Sequence, residues 1–332
     1  MNNLTHCRLL RWTSCAILIN FAILASTVTL KAQVSPNWTD RFTFVSIGAV
    51  GLIQTAKSDG SGLTSLGNGE NPVWSPNGQK LAYLDRLNCN PRCLAVVNWD
   101  GTGRTTVPLS GFSAFGSHSW FPDSQRLAFV GVTTNATTGA SDFDIYAVNS
   151  NGSNLVRLTN TPTLLKEYAK VSPDGSRIVY RNSSSSGVQG VYLVNSDGTG
   201  DRLLTAPSSS DYWIDSGEWS PDSTKLARTC SERVLVDPLR NVYRIFSSIC
   251  LIDLAGGRTN ITEATKEDYV PETGGSTYRE SISSPAWSND GSRLLYTKSS
   301  ERFENSAWIF EGTSVLETSV EGGGSTEIFR SN

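Results

Sequence analysis

The chain has 332 residues, a formal net charge of −3 and only two histidines, His6 and His118. A Ser-His-Asp triad or a His-rich metal centre therefore has almost nothing to use. The acidic balance, with no basic stripe, argues against nucleic acid as a partner.

The N-terminus reads as a secretion leader. Arg8 and Arg11 precede the apolar stretch Cys15–Leu24, and small and polar residues run on to Ala32-Gln33. Cleavage after Ala25 and cleavage after Ala32 both fit. Residues 1–32 are assigned to the signal peptide and 33–332 to one domain, exported to the periplasm or secreted. Asn20, Ser26, Thr27 and Thr29 shorten the apolar span below the roughly 20 residues that a membrane helix needs. No later segment is a candidate, so no membrane span is expected once the leader is removed. Removal takes three positive charges and no acid, which moves the net charge from −3 to −6.

Beyond the leader one phrase recurs. A degraded copy opens at Val34–Phe44. Clear copies follow at Trp74–Tyr83 (W-S-P-N-G-Q-K-L-A-Y), Trp120–Phe129, Val171–Tyr180, Trp219–Arg228 and Trp287–Tyr296. Pro followed by Asp or Asn and then Gly or Ser is turn chemistry. The flanking apolar residues alternate, so each copy predicts a β-hairpin. A second hairpin follows in most units, around turns such as Asp100-Gly101-Thr102-Gly103 and Asp197-Gly198-Thr199-Gly200. Each unit is thus four antiparallel strands, A to D. Aligned on the turn Pro, with Asn289 in its place in the last unit, the steps are 40, 46, 51, 48 and 68 residues. Repeats of this size match propeller blades, which cover one another's faces. The expectation is an all-β, six-bladed propeller with Trp74, Trp120, Trp219 and Trp287 buried between blades.

The phrase, with its N-x-D-G-T-G turns between strands C and D, resembles the TolB-like family of β-propellers over about residues 34–330. The resemblance is specific for fold and weak for function. TolB itself carries an additional α/β domain ahead of its propeller, and no such domain fits between this leader and the first repeat.

Four cysteines remain after the leader, Cys89, Cys93, Cys230 and Cys250. An even count in an exported chain predicts the disulfides Cys89–Cys93 and Cys230–Cys250. A four-Cys zinc site is the rival. The pairs fall in the second and fifth of six repeats, which opposes it.

The A–B turns are short, whereas the B–C and D–A loops vary in length. Those two loop types share one face of a propeller, and variable loops on a rigid scaffold are where binding sits. Four residues before the strand-A Trp or Val stand Glu70, Glu167 and Asp215. They are candidates for a rim that receives a hydroxyl-rich or cationic ligand, with calcium the candidate ion; solvated loop acids are the plain alternative. His118, Tyr212 and Trp213 lie in the same region and complete the candidate ligand set. No catalytic residue and no cofactor other than calcium is assigned.

The fifth repeat carries a long insert between Cys230 and Cys250, two β-rich runs around Asp237-Pro238. It predicts a projecting hairpin arm, with Cys230 facing Cys250, Val234 facing Phe246 and Val236 facing Arg244. Val234, Val236, Tyr243, Ile245 and Phe246 are its candidate partner-binding residues. The expected function is a non-enzymatic platform for a protein or glycan partner. The alternative is a carbohydrate-active enzyme, lyase or hydrolase, that uses the rim carboxylates.

Overall fold

The computed structural model describes residues 16–19, 30–34, 41–46, 51–57, 59–85, 87–89, 92–107, 112–134, 137, 139–161, 164–183, 188–206, 217–239, 242–270, 275–304 and 307–331. The described residues are all-β, in antiparallel sheets with strands in chain order. The chain divides into two compact units, Met1–Leu203 and Leu204–Asn332.

In the first unit, β1 (Ala16–Ile19), β2 (Leu30–Val34), β3 (Arg41–Ser46), β4 (Leu52–Lys57) and β5 (Thr64–Asn68) form one sheet. The next holds β6 (Glu70–Trp74), β7 (Lys80–Asp85), β8 (Cys93–Asn98) and β9 (Thr105–Thr106). A third holds β10 (Phe112–Trp120), β11 (Arg126–Thr134), β12 (Ser141–Asn149) and β13 (Val156–Arg157). The fourth holds β14 (Lys166–Val171), β15 (Arg177–Asn182), β16 (Gly190–Asn195) and β17 (Arg202–Thr205), whose end crosses the unit boundary. In the second unit, β18 (Glu218–Trp219), β19 (Lys225–Asp237), β20 (Val242–Asp253) and β21 (Arg258–Asn260) form the fifth sheet. The sixth has β22 (Glu267–Val270), β23 (Gly275–Trp287), β24 (Arg293–Glu304), β25 (Ala307–Ser319) and, at its edge, β26 (Ser325–Ser331).

The repeated phrase has a local cause. In four copies a serine hydroxyl locks the A–B turn. Ser172 Oγ donates to Asp174 Oδ1 (2.6 Å) and accepts the Arg177 N–H (3.0 Å). Ser75, Ser220 and Ser288 do the same with Asn77, Asp222 and Asp290. Hydrogen bonds from Ser288 and Ser292 hold the Asp290 carboxyl down at about 2. The third copy has Phe121 in place of serine. There Asp123 takes the Arg126 N–H (3.0 Å) and Nε (2.7 Å), and the guanidinium lies 4.3 Å from the Phe121 ring centre.

Between sheets the core is apolar. Strand faces of the second and third sheets pack through Leu84, Leu94, Trp120, Leu127 and Phe129. In the second unit Ile249, Leu251, Ile282, Trp287 and Leu294 close the fifth sheet on the sixth. All four phrase tryptophans, Trp74, Trp120, Trp219 and Trp287, are buried.

Strand A of the first sheet lies where the turn spacing puts it, 40 residues before β6. It is β2, Leu30–Val34, which pairs with β3 through Lys31–Val45, Ala32–Phe44, Gln33–Thr43 and Val34–Phe42; of residues 34–38, the segment expected to supply that strand, only Val34 lies within the described residues. Val34 therefore stands where the later repeats have Trp.

Candidate functional site

The loop-end acids owe their position to a repeated bulge. Glu70 pairs with Leu84 and Val73 with Ala82, so Asn71 and Pro72 both stand opposite Tyr83. In the fourth sheet Glu167 pairs with Arg181 and Lys170 with Val179, which puts Tyr168 and Ala169 opposite Tyr180. Ser283 and Ala286 flank the same irregularity opposite Tyr296. A bulge bends the strand and re-aims the side chains beside it. Asn71 (φ 51°) and Tyr168 (φ 54°) take the left-handed conformation there, with Gly116 (φ 67°) in the third sheet. For a bulky residue such as Tyr168 this is an outlier, of the kind that clusters at binding and active sites. Tyr168 is also exposed.

Each acid has a basic neighbour. The Glu70 carboxylate lies 4.0 Å from Arg92 and that of Glu167 lies 3.9 Å from Arg181. All four side chains are partly exposed. At these separations the pairs are loose ion pairs, worth little to stability. Each therefore offers an acceptor and a donor at one strand end. Among the described residues no group of three or more His, Cys, Asp or Glu could hold a metal ion. Asp215, Tyr212 and Trp213 lie outside the described residues.

His118 is packed in the core, not presented to solvent. It is 5% exposed, and its Nε2–H donates to the Ala82 carbonyl at 3.0 Å, from the third sheet to the second. Burial lowers its pKa to about 4, against which that hydrogen bond works only in part. The imidazole is thus neutral at pH 7, and its Nδ1 is buried without a partner among the described residues.

Both cysteine pairs are disulfides, Cys89–Cys93 with Cα atoms 5.7 Å apart and Cys230–Cys250 with 5.8 Å. These separations lie within the range that a disulfide allows. The first closes the loop after β7. Asp85 organises that loop: it accepts the N–H groups of Leu87 (2.9 Å) and Asn88 (3.0 Å) and pairs with Arg104. Burial acts against its charge, yet these bonds and the Arg104 charge hold its carboxyl below the ordinary range.

The arm of the fifth repeat is present, but its register differs from the expected one. Cys230 pairs with Ser248 and Arg228 with Cys250, so the disulfide spans a diagonal and the cysteines do not face each other. Val234 faces Arg244, not Phe246, and Phe246 faces Glu232. The turn is centred closer to Asp237, whose carboxylate accepts the Leu239 N–H (3.1 Å), and a bulge between Leu235 and Asp237 leaves Val236 out of the ladder. The candidate partner residues are therefore split. Tyr243 and Ile245 share one face with Leu235, which the sequence reading missed, and Val234 and Phe246 lie on the other. Leu235, Tyr243 and Ile245 are exposed, and Leu239 at the tip is 97% exposed.

Sequence reasoning also missed a buried polar cluster between the third and fourth sheets. Lys166 is fully buried, and its three protons go to Asp144 (3.0 Å) and to the carbonyls of Phe143 (2.7 Å) and Thr161 (2.9 Å). Burial lowers the lysine pKa in spite of Asp144. Asp144 also accepts the Thr159 hydroxyl (2.8 Å) and pairs with Arg157. One signal was legible: the residue after each Thr-Gly turn. Arg104 Nε donates to the Tyr83 hydroxyl (2.9 Å), and Asp201 accepts the Tyr180 hydroxyl (2.6 Å), so that position reaches the tyrosine in the middle of strand B.

Comparison with known proteins decides the family. The profile of the TolB beta propeller domain matches residues 52–237. The chain belongs to this TolB propeller family. An uncharacterised protein of Agrobacterium fabrum, Atu1656, is 23% identical over 272 residues, 80% of this chain and 84% of that protein. Among solved structures, TolB from Acinetobacter baumannii aligns with a TM-score of 0.50 at 17% identity, over 87% of this chain and 66% of that one. An oligogalacturonate lyase from Vibrio parahaemolyticus aligns with a TM-score of 0.62 at 11% identity, over 87% and 74%. At such identities the structural likeness is one of fold. This chain's structural neighbours thus include both a TolB and an oligogalacturonate lyase.

Proposed function

We propose that the chain is an exported, six-bladed TolB-like propeller, periplasmic or secreted, that binds a protein or glycan partner through its B–C and D–A loop face without chemical turnover. The observation that carries the reading is the repeated strand-A bulge. In the second and fourth repeats it sets a carboxylate beside an arginine, Glu70 with Arg92 and Glu167 with Arg181, at the end where the variable loops lie. An acid–base pair at a loop end can both accept from and donate to sugar hydroxyls or peptide groups. Tyr168 adds an exposed ring beside one such pair, and Asp215, Tyr212 and Trp213 belong to the same proposed face. The disulfides fit an oxidising compartment.

The arm of the fifth repeat extends the platform. Leu235, Tyr243 and Ile245 form its apolar face, with Val234, Val236 and Phe246 on or near the reverse. Replacing Glu232–Ser247 with a Gly-Ser link keeps the domain folded in this reading and removes a protein partner's contact.

A second reading has one specific support, the structural likeness to an oligogalacturonate lyase. There the rim carboxylates act as acid, base or calcium ligands in breaking a glycan chain. One experiment separates the two. Wild type and the Glu70→Gln/Glu167→Gln/Asp215→Asn variant are assayed with neutral and uronic-acid oligosaccharides, with and without millimolar calcium, for binding and for product. Binding without product, lost in the variant, supports the platform. Product formation that the variant abolishes replaces it with the enzyme. Binding unchanged in the variant removes the rim from both.

A further inference from the structure

Beyond residue 32 the chain has no methionine, and its only sulfur is in the four cysteines of the two disulfides. The two bonds differ in access and in span. Cys230 and Cys250 are 6% and 0% exposed, and they stand 20 residues apart. Cys93 is also buried, but its partner Cys89 is partly exposed, and only four residues separate them. In the chain-entropy account a disulfide stabilises more as the loop it closes grows. The short bond is therefore the weaker staple, and it is the one an external thiolate can approach.

Its position points to another use. Cys93 opens β8 and pairs with Asp85, the last pair of the β7–β8 ladder. Ladder ends open most easily, and the bond to Cys89 ties this one. The residue before Cys93 is Arg92, whose guanidinium lies 4.0 Å from Glu70. The Arg92 carbonyl accepts the Ala114 N–H at 3.1 Å, from the second sheet's loop to the third sheet. Ala114 is buried in the core that Leu94 shares. The corresponding pair of the fourth repeat is held by other means. Arg181 lies inside β15 and is paired on both sides, with Glu167 and with Val191. Arg92 lies one residue outside β8, so a covalent tie at the strand end does for it what two ladders do for Arg181.

We propose that Cys89–Cys93 is a redox latch that positions Arg92 beside Glu70, and that an external dithiol opens it and releases Arg92. Its effect on binding rests on the reading of this loop face as a platform; its effect on Arg92 does not. In the opening step a thiolate of the dithiol attacks Cys89 Sγ. The S–S bond breaks, and Cys93 leaves as a thiolate that takes up a proton. The second thiol of the reductant then displaces Cys89. The protein gains two electrons and two protons as two thiols, and the reductant ends as a disulfide. A buried Cys93 thiol packs as a small apolar group, so the fold survives the opening.

Graded dithiothreitol, followed by alkylation and mass spectrometry, should find Cys89 and Cys93 open before Cys230 and Cys250. In that state the Ala114 amide should exchange with solvent about tenfold faster. The Ile261 amide, which donates to the Ile249 carbonyl beside Cys250 (2.8 Å), should keep its rate. The melting temperature should fall by no more than about 5 °C, as befits so short a loop. Cys89→Ser/Cys93→Ala should match the opened state without reductant. Binding is then measured with the neutral and uronic-acid oligosaccharides. Opening should weaken wild type about tenfold, the scale of one hydrogen bond to a charged group. Arg92→Gln should be as weak when closed, and dithiothreitol should not change it further. Unchanged Ala114 exchange on opening, or Cys230–Cys250 opening first, overturns the latch. So does an oligosaccharide that wild type binds equally in both states. If the closed protein binds no oligosaccharide, the platform reading loses its glycan form, and the exchange rate and the order of opening decide the latch by themselves.

Discussion

The indole N–H of Trp120 donates to the backbone carbonyl of Val73 at 3.0 Å, from strand A of the third sheet to strand A of the second. Val73 is the residue just before Trp74, the tryptophan of its own repeat. The second unit repeats the relation: Trp287 donates to Glu218 at 2.9 Å, the residue just before Trp219. The tryptophan of the repeat is thus a clamp as well as a core residue. Where the fourth copy has Val171, a different bond takes over, from the Val171 N–H to Ser119 Oγ at 3.1 Å.

Trp120→Phe keeps an aromatic ring and removes the donor. It should destabilise the protein by about 1–3 kcal/mol, a lost hydrogen bond plus the smaller ring in a filled site. Urea midpoints of the two proteins check this. A midpoint unchanged from wild type would reduce the clamp to a coincidence of packing.

His118 should make the protein sensitive to mild acid. Its folded pKa of about 4 lies below the ordinary value of 6.5, so the unfolded chain binds the proton first. Stability is then complete above about pH 6.5 and falls as the pH drops towards 4, by a total on the order of 3 kcal/mol. His118→Gln, whose Nε2 can still donate to Ala82, should lose less stability than wild type between pH 7.5 and 4.5. Parallel acid limbs in the two proteins would contradict the assignment.

Lys166→Met should be among the most damaging single changes. It leaves Asp144 buried without its fully enclosed counter-charge, a loss of about 3–5 kcal/mol. Adding Asp144→Asn removes the stranded charge, so the double variant should be more stable than the sum of the single effects predicts, with a coupling of about 0.5–3 kcal/mol. Additive losses in chemical denaturation would show that the pair does not interact.

The leader should be cut upstream of β2. A cut after Ala32 would leave the strand only Gln33 and Val34, whereas a cut after Ala25 keeps Leu30–Val34 whole. A sheet that loses β2 exposes the ladder of β3, with which it pairs. N-terminal sequencing of exported protein should therefore begin at Ser26; a chain beginning at Gln33 would show that β2 is dispensable.

The strand–turn–strand unit was legible because its causes are local. Pro, Asp or Asn, and Gly or Ser set the turn within five residues, the serine lock closes inside the same phrase, and the alternation of Leu81-Ala82-Tyr83 follows from the pleat. The identity of the disulfide pairs was legible for a similar reason, since each pair falls within one repeat. The loop-end positions of Glu70 and Glu167 could be counted back from the tryptophan. That a bulge lies beside each, and that each meets an arginine, could not, because a bulge is a mismatch between two strands and is invisible in either alone.

What the sequence by itself determined, then, is the repeat, the strand order within it and the burial of the phrase tryptophans, all consequences of turn chemistry and period-two patterning. Tertiary structure alone decided the rest. The arm register shifted because a bulge and an Asp237 cap moved the turn, and no count from the cysteines contains either. Lys166 and Asp144 read as ordinary polar residues along the chain; they become a buried pair only when two sheets pack and exclude water. The same packing turned His118 from a candidate ligand group into a core hydrogen bond to Ala82. Burial is a property of neighbours that lie far apart in sequence, and so it is assigned only when the sheets meet.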